Sequence, residues 1–175
     1  IATFANSWYD PVKEKQAAEA MLEQGADVIA CNMSSTAVVV AAEAAGAYSI
    51  GFQNDMSAAG PNGHLTSVVF NWENYYIDAI KRMSSANWVS KGLPLAGMEI
   101  ALADITPLSD AVPQDVQKKI AKARQSMSDG SFNPYSGPVN KQNGEVVIPS
   151  GSVMDDGGLW GMDYFVEGVI GTMPD

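Results

Sequence analysis

Cysteine occurs once in this 175-residue chain, histidine once, and basic residues ten times against twenty acidic ones. The single cysteine, Cys31, excludes an internal disulfide and closes an apolar run, where it reads as a small buried hydrophobe. The single histidine leaves no Cys/His spacing for a zinc site. That residue, His64, ends a stretch rich in Gly, Pro and Asn (Met56–His64), which reads as a loop with a solvated imidazole. A net charge of −10, a pI near 4.4 and the lack of any basic run oppose binding to nucleic acid or to an anionic membrane surface. No apolar run reaches the roughly 18 residues that a membrane helix needs. Gly-rich phosphate loops and nucleophile elbows are missing too. Asp155-Asp156 followed by two glycines makes a better turn than a metal-ligand set. These absences favour binding over catalysis, and neither a cofactor nor a metal is expected.

What is present is a core-forming composition, 46% apolar, in a chain of one-domain length. The first hundred residues alternate strand and helix. Ile1–Ala5 reads as a strand that begins without any lead-in. Asp10 is a natural N-cap and Pro11 suits the first helical position. The helix that follows places Ala17, Ala18, Met21 and Leu22 on one face and Glu14, Lys15, Glu19 and Glu23 on the other, with Gly25 as its stop. Asp27–Cys31 is a continuous apolar run of the kind found in buried parallel strands. Ser34-Ser35-Thr36 offers N-caps to a helix over Ala37–Ala45, and a third strand, AYSIGF, ends at Gln53-Asn54-Asp55. Short connections throughout imply an α/β fold, a parallel sheet with covered faces and flanking helices.

Further on, Leu65–Phe70 is strand-like and a long amphipathic helix runs from about Trp72 to Ala86. Met98–Ile105 reads as another strand, and Pro113–Ser128 as a helix with a basic stripe of Lys118, Lys119, Lys122 and Arg124. Asn143-Gly144 is a strong hairpin signal. Asp156–Ile170, rich in Gly and aromatics, is read as helical.

Ligands of open α/β sheets bind beyond the carboxyl ends of the strands. Here those ends are Asn6-Ser7-Trp8, Asn32-Met33-Ser34-Ser35 and Gln53-Asn54-Asp55. Together they would gather an indole, several amides and hydroxyls and one carboxylate, the chemistry of a pocket for a small, flat, polar molecule. Stacking on an aromatic is worth about 1–3 kcal/mol per base in proteins that bind bases this way. Plainer roles stand beside these: Trp8 as a core or interface residue, Asn32 and the serines as helix caps, Asp55 as a turn residue.

Three stretches, WYDPVKEKQAAEAMLEQGADVIACNMSS, AAEAAGAYSIGFQNDMS and HLTSVVFNWENYY, resemble the basic membrane protein family, the solute-binding lipoproteins of bacterial ABC importers. NPYSGPVNKQNGEVVIPSG and MDYFVEGVIGTMP are similar to that family's C-terminal end, so the resemblance covers nearly the whole chain. It implies a two-lobed, type I periplasmic-binding-protein-like fold that closes about a hinge on a purine or purine nucleoside. Family members are about twice this length, so the resemblance implies an incomplete two-lobe fold. Residues 1–70 would belong to the C-terminal lobe, 71–105 would hold a crossover and a helix packed on the other lobe, and 106–175 the last helices and hairpin.

Carried over residue by residue, the resemblance adds Phe70 to Asn6, Trp8, Asn32, Ser34, Gln53 and Asp55 as ligand-binding candidates. Nucleoside-binding relatives carry an acid at the first acidic position of I-G-V-D-S-D, where this chain has Gln53, and a lysine where it has Phe70. Both departures fit a free nucleobase, adenine before hypoxanthine or guanine. The expected partners are that ligand and a membrane permease, in the periplasm or at the cell surface, with a lipid anchor if a lipobox precedes this segment. Two further readings differ in class. One is the ligand-sensing effector domain of a regulatory protein; the other is an enzyme using Asp55 with Asp27 or Asp104 as acid and base.

Overall fold

The computed structural model describes residues 1–85, 88–89 and 96–173. The chain divides into two compact units, one of residues 1, 3–70 and 103–120, the other of residues 2, 71–102 and 121–175.

The first unit is built on a four-stranded sheet. Helix α1 (Pro11–Glu23) starts where the sequence places it: Asp10 caps it through the Lys13 N–H at 3.1 Å, with Pro11 in the first turn. Strand β1 (Val28–Ala30), helix α2 (Ala37–Ala44), strand β2 (Tyr48–Gln53) and strand β3 (His64–Phe70) follow, and β4 (Ala103–Ile105) completes the sheet. The order is β1-β2-β3-β4, with β1, β2 and β3 parallel and β4 antiparallel at the edge. The sheet is therefore mixed, and only the last three residues of Met98–Ile105 are strand; Met98–Ile100 makes a 3₁₀ turn.

Ala18 of α1, Ile29 of β1 and Val38 and Ala41 of α2 form a buried cluster, with Met21, Leu22, Ala26 and Cys31 packed against it. This is the apolar face that the helical periodicity predicts, and its burial supplies the main driving force for assembling α1, α2 and β1. Ile29 is buried while Val28 and Ala30 are exposed, so β1 is covered on one face and not on both. Glu14, assigned by periodicity to the solvent face, is instead 1% exposed. Ile1–Ala5 does not form a strand. It makes no ladder with β1, and the Ala2 N–H bonds to the Ile170 carbonyl at 3.2 Å.

His64 is also placed differently from its expectation. It opens β3 and is 8% exposed, with Nε2 2.8 Å from the hydroxyl of the fully buried Ser67. The same hydroxyl accepts the Met56 N–H at 3.1 Å. Thr106 locks the neighbouring register, accepting the Ser67 N–H on its hydroxyl at 2.8 Å.

In the second unit α3 (Trp72–Met83) has no buried residue; Trp72, Tyr76, Ile80 and Met83 are exposed, and Trp72 stacks on Tyr76 at 6.0 Å. The helix stops at Met83 with Ser84 as its C-cap, short of the expected end at Ala86, which itself lies outside the described residues. Helix α4 (Gln114–Ser128), whose first turns belong to the first unit, matches its predicted span to within one residue. The Asn143-Gly144 signal produces its hairpin: β5 (Val139–Asn140) and β6 (Val146–Ile148) pair antiparallel, and Gly144 has a φ of 85°. Helix α5 (Asp156–Trp160) is one turn and a little more, against an expected helix to Ile170. Glycines 157, 158, 161 and 168 cut its propensity, Gly168 has a φ of 90°, and the Gln142 side chain instead bonds the Val169 carbonyl at 2.7 Å.

Gly51 marks the tightest point of the first unit. A Cβ there would lie 2.3 Å from the Ser67 hydroxyl and 3.0 Å from the Met56 Cβ. Ser67 is held by two hydrogen bonds and cannot swing away without breaking them. Gly51→Ala is expected to cost about 1–3 kcal/mol, the usual range for overpacking, read as a lower denaturant midpoint at unchanged m-value; an unchanged midpoint would show that the site relaxes freely.

Candidate functional site

Because β1, β2 and β3 are parallel neighbours, their carboxyl ends fall on one edge of the sheet. Asn32 and Ser34 follow β1, Gln53 ends β2 with Asp55 two residues on, and Phe70 ends β3. Gln53 pairs in register with Val69, one residue before Phe70. The Asn6–Trp8 segment joins this edge through the backbone: the Ser34 N–H donates to the Trp8 carbonyl at 3.0 Å. All seven candidates therefore belong to the first unit, at or beside its strand ends.

Their environments differ. Trp8 is 71% exposed, which removes the core reading of that residue. Asn6, Asn32 and Gln53 are exposed, and Ser34 and Phe70 are half-buried. Phe70 packs edge-on against Phe52 of β2 at 5.6 Å, so its ring is oriented by the sheet. Asp55 spends one carboxylate oxygen on the Ser57 N–H at 2.9 Å, a turn contact that holds its pKa below the ordinary carboxylate value. The turn reading of Asp55 thus has a physical basis alongside the ligand reading.

Two backbone outliers fall on the same edge. Among described non-glycine residues with positive φ are Asn6 at 50°, Gln53 at 69° and Ala101 at 57°. The left-handed region is costly for a residue with a Cβ and recurs where surrounding structure fixes an unusual geometry at functional positions. Asn tolerates it best; Gln53 has no such allowance.

The sequence missed the group that ties this rim together. Glu14, on the first turn of α1, accepts the Asp10 N–H at 2.9 Å with one carboxylate oxygen and the Ser35 hydroxyl with the other. Ser35, one residue before the Thr36 N-cap, in turn accepts the Ala37 N–H at 3.2 Å at the start of α2. The signal was available in outline, since Asp10 and Glu14 bracket a helix start in the manner of a capping box displaced by one residue. Nothing local, however, shows that Glu14 is covered by the Ser35 turn. Burial pushes the Cys31 thiol up, and the charge of Glu14 adds to that shift; a half-buried thiol with raised pKa is a poor nucleophile.

Among the described residues no three His, Cys, Asp or Glu side chains converge as a metal would require, and no helix is long and apolar enough to cross a membrane. A hollow of about 410 Å³ runs along β1 beside the C-terminal end of α1, lined by Ile1, Met21, Gln24, Val28, Ile29 and Ala30, with no charged side chain among its lining residues.

The family model for the Bmp proteins, described as ABC transporter substrate-binding protein PnrA-like, matches residues 2–134. The chain belongs to this family. It is 36% identical over 171 residues to a purine-binding protein of Brucella abortus, covering 98% of this chain and 48% of that protein. It is 27% identical, again over 171 residues, to a Haloferax volcanii protein named for glucose binding by an ABC transporter, covering 98% of this chain and 41% of that one. The chain thus spans about half the length of these relatives. Among solved structures, a transcriptional activator of the comK gene from Bacillus halodurans matches with a TM-score of 0.65 at 21% identity, over 74% of this chain and 46% of that one. An ABC solute-binding protein from Aeropyrum pernix matches at 0.61 and 16%, over 75% and 46%. At these identities the two structures establish the fold alone, an α/β fold shared with solute-binding proteins.

Burial pushes the His64 imidazole below its ordinary value of 6.5, and the nearby charge of Asp55 only partly offsets this. The unfolded chain therefore takes up that proton first as pH falls. The stability from neutral His64 is complete above pH 6.5 and declines below it. The lowered carboxylates, Asp10, Glu43, Asp55 and Asp129, act in the same direction but at more acid pH. Thermal melts of the protein should show a falling midpoint between pH 7.5 and 5.5, and His64→Gln should flatten that slope while leaving the steeper loss below pH 4.5. Identical slopes in the two proteins would remove His64 as the cause.

Proposed function

We propose that this chain forms one wall of a solute-binding site in the extracytoplasmic substrate-binding component of an ABC importer, and that the solute is purine-like. The observation that carries the reading is the rim itself: an exposed indole, two polar strand ends and an edge-oriented phenyl ring gathered at the carboxyl ends of three parallel strands. Trp8 supplies a flat face for stacking, and Asn6, Asn32, Ser34, Gln53 and Asp55 supply donors and acceptors for the edge of a base. Phe70 supplies a second aromatic wall. The named binding of a purine by the Brucella abortus relative supports the class of ligand.

No bond is made or broken in this role; capture rests on complementarity and on closure of a second lobe over the rim. The exposed apolar residues of α3, unburied along its whole length, support the assignment of that helix to the side of the fold where the other lobe packs. The captured solute passes to a membrane permease. A lipid anchor at the amino terminus of the complete protein belongs to the same reading.

Isothermal titration of the protein with adenine, hypoxanthine, guanine, adenosine and glucose tests the ligand class. Adenine is expected to bind most tightly. Trp8→Ala should weaken it by about 1–3 kcal/mol, roughly 5- to 150-fold in Kd, because base stacking is lost. The melting temperature should barely move, since the indole is exposed. Binding of glucose with no response to any purine would overturn the purine assignment; an unchanged adenine Kd in Trp8→Ala would take Trp8 out of the site.

A further inference from the structure

We propose that Glu14 is a positioning residue for the binding rim, holding the Trp8 segment and the Asn32–Ser35 turn in one fixed arrangement. Glu14 touches neither the rim surface nor solvent. Its carboxylate is buried and carries no cation among its described partners, so its partners are the two hydrogen-bond donors already named, the Asp10 N–H and the Ser35 hydroxyl. Those donors lie on two different loops. Asp10 ends the loop that presents Trp8, and Ser35 ends the turn that presents Asn32 and Ser34.

The geometry makes these loops one object. Glu14 bonds both of them at their helix-proximal ends. The Ser34 N–H closes the circuit at the rim by donating to the Trp8 carbonyl at 3.0 Å. Without Glu14, that last bond would join two loops free to move against each other. A buried carboxylate is costly to desolvate and survives only when its hydrogen bonds are fully satisfied. Two such bonds, both to loop residues, place that cost where it fixes loop geometry and not where it adds apolar packing. A leucine would fill the same volume and spare the desolvation. Retaining a carboxylate here is thus explained by what it orders.

This inference rests on the proposed binding role for its consequence, but its structural part can be read without any ligand. Hydrogen exchange of the ligand-free protein reports the Asp10 and Ser34 amides directly. Glu14→Leu should fold, with β2 and β3 amides as protected as before, yet lose at least tenfold protection at both Asp10 and Ser34. The Ser34 result is decisive, because that amide does not touch Glu14 and a purely local role would leave it unchanged. Glu14→Gln keeps an acceptor for the Asp10 N–H and offers a donor to the Ser35 oxygen, so it should restore protection to within about threefold. If Glu14→Leu does not fold, Ser35→Ala cuts the same link from the other loop and should deprotect Ser34 in the same way.

Adenine titration supplies the functional arm. Glu14→Leu should raise Kd about tenfold in the otherwise unaltered protein and by less than twofold in a Trp8→Ala background, since it acts through the Trp8 loop. Folded Glu14→Leu with a fully protected Ser34 amide would overturn the proposal. Loss of Ser34 protection in a protein that binds no purine at all would leave the positioning role standing and sink the ligand reading instead.

Discussion

One buried carboxylate organises the half of this protein that carries the candidate site. Glu14 sits beneath two loops and bonds a donor from each, and from that contact follow the seating of the turn before α2, the seat of the α1 start and the approach of Trp8 to the end of β1. The apolar cluster of Ala18, Ile29, Val38 and Ala41 brings α1, α2 and β1 together. Hydrophobic burial is non-directional, however, and cannot by itself choose how the loops above the cluster meet. The carboxylate makes that choice because its hydrogen bonds have direction and because leaving either one unmade is expensive.

A second polar knot does similar work lower in the sheet. Ser67 is fully buried between His64, the Met56 N–H and the closely packed backbone of Gly51, and Thr106 holds the adjacent strand. Glu43 fastens α2 to the β2–β3 connection by accepting the Asn62 side-chain amide and the Gly63 and Asn62 backbone N–H groups, a set of bonds, the side-chain one foremost, that lowers its pKa. The connection between β2 and β3 therefore stays ordered with only a single 3₁₀ turn and no α-helix. His64 and Ser67 are sealed in the interior, and Asp55 is occupied by its own turn.

Elements whose causes are local were legible in the sequence. Asp10-Pro11 marked the start of α1, the periodicity of Ala18, Met21 and Leu22 marked its inner face, and Asn143-Gly144 marked the hairpin; each acts within a few residues. The strand ends that make up the rim were legible too, since they follow from the order of elements. What escaped depended on distant partners. Ile1–Ala5 has strand composition, yet a strand exists only through a ladder, and the Asn6 φ of 50° turns the chain at its end. Glu14 looked solvent-facing because the periodicity of one helix contains no information about Ser35, 21 residues away. His64 looked like a loop residue because its neighbours are Gly, Pro and Asn, whereas pairing with β2 draws it into β3. Asp156–Ile170 held aromatic spacing suited to a helix, but its glycines and the reach of Gln142 decided otherwise.

The separation between frame and surface at the rim has an evolutionary consequence. Loop positions are set by main-chain bonds and by Glu14, whereas the described hydrogen bonds leave the side chains of Asn6, Trp8, Asn32 and Gln53 out of that frame. Trp8 and Asn32 can be exchanged without disturbing the scaffold that presents them, whereas the positive φ of Asn6 and Gln53 narrows the choice at those two positions. On the proposed binding role, selection could retune which solute is captured by substitutions at Trp8 and Asn32 at little cost to folding, so that one architecture can diverge in diet while remaining almost unchanged in skeleton.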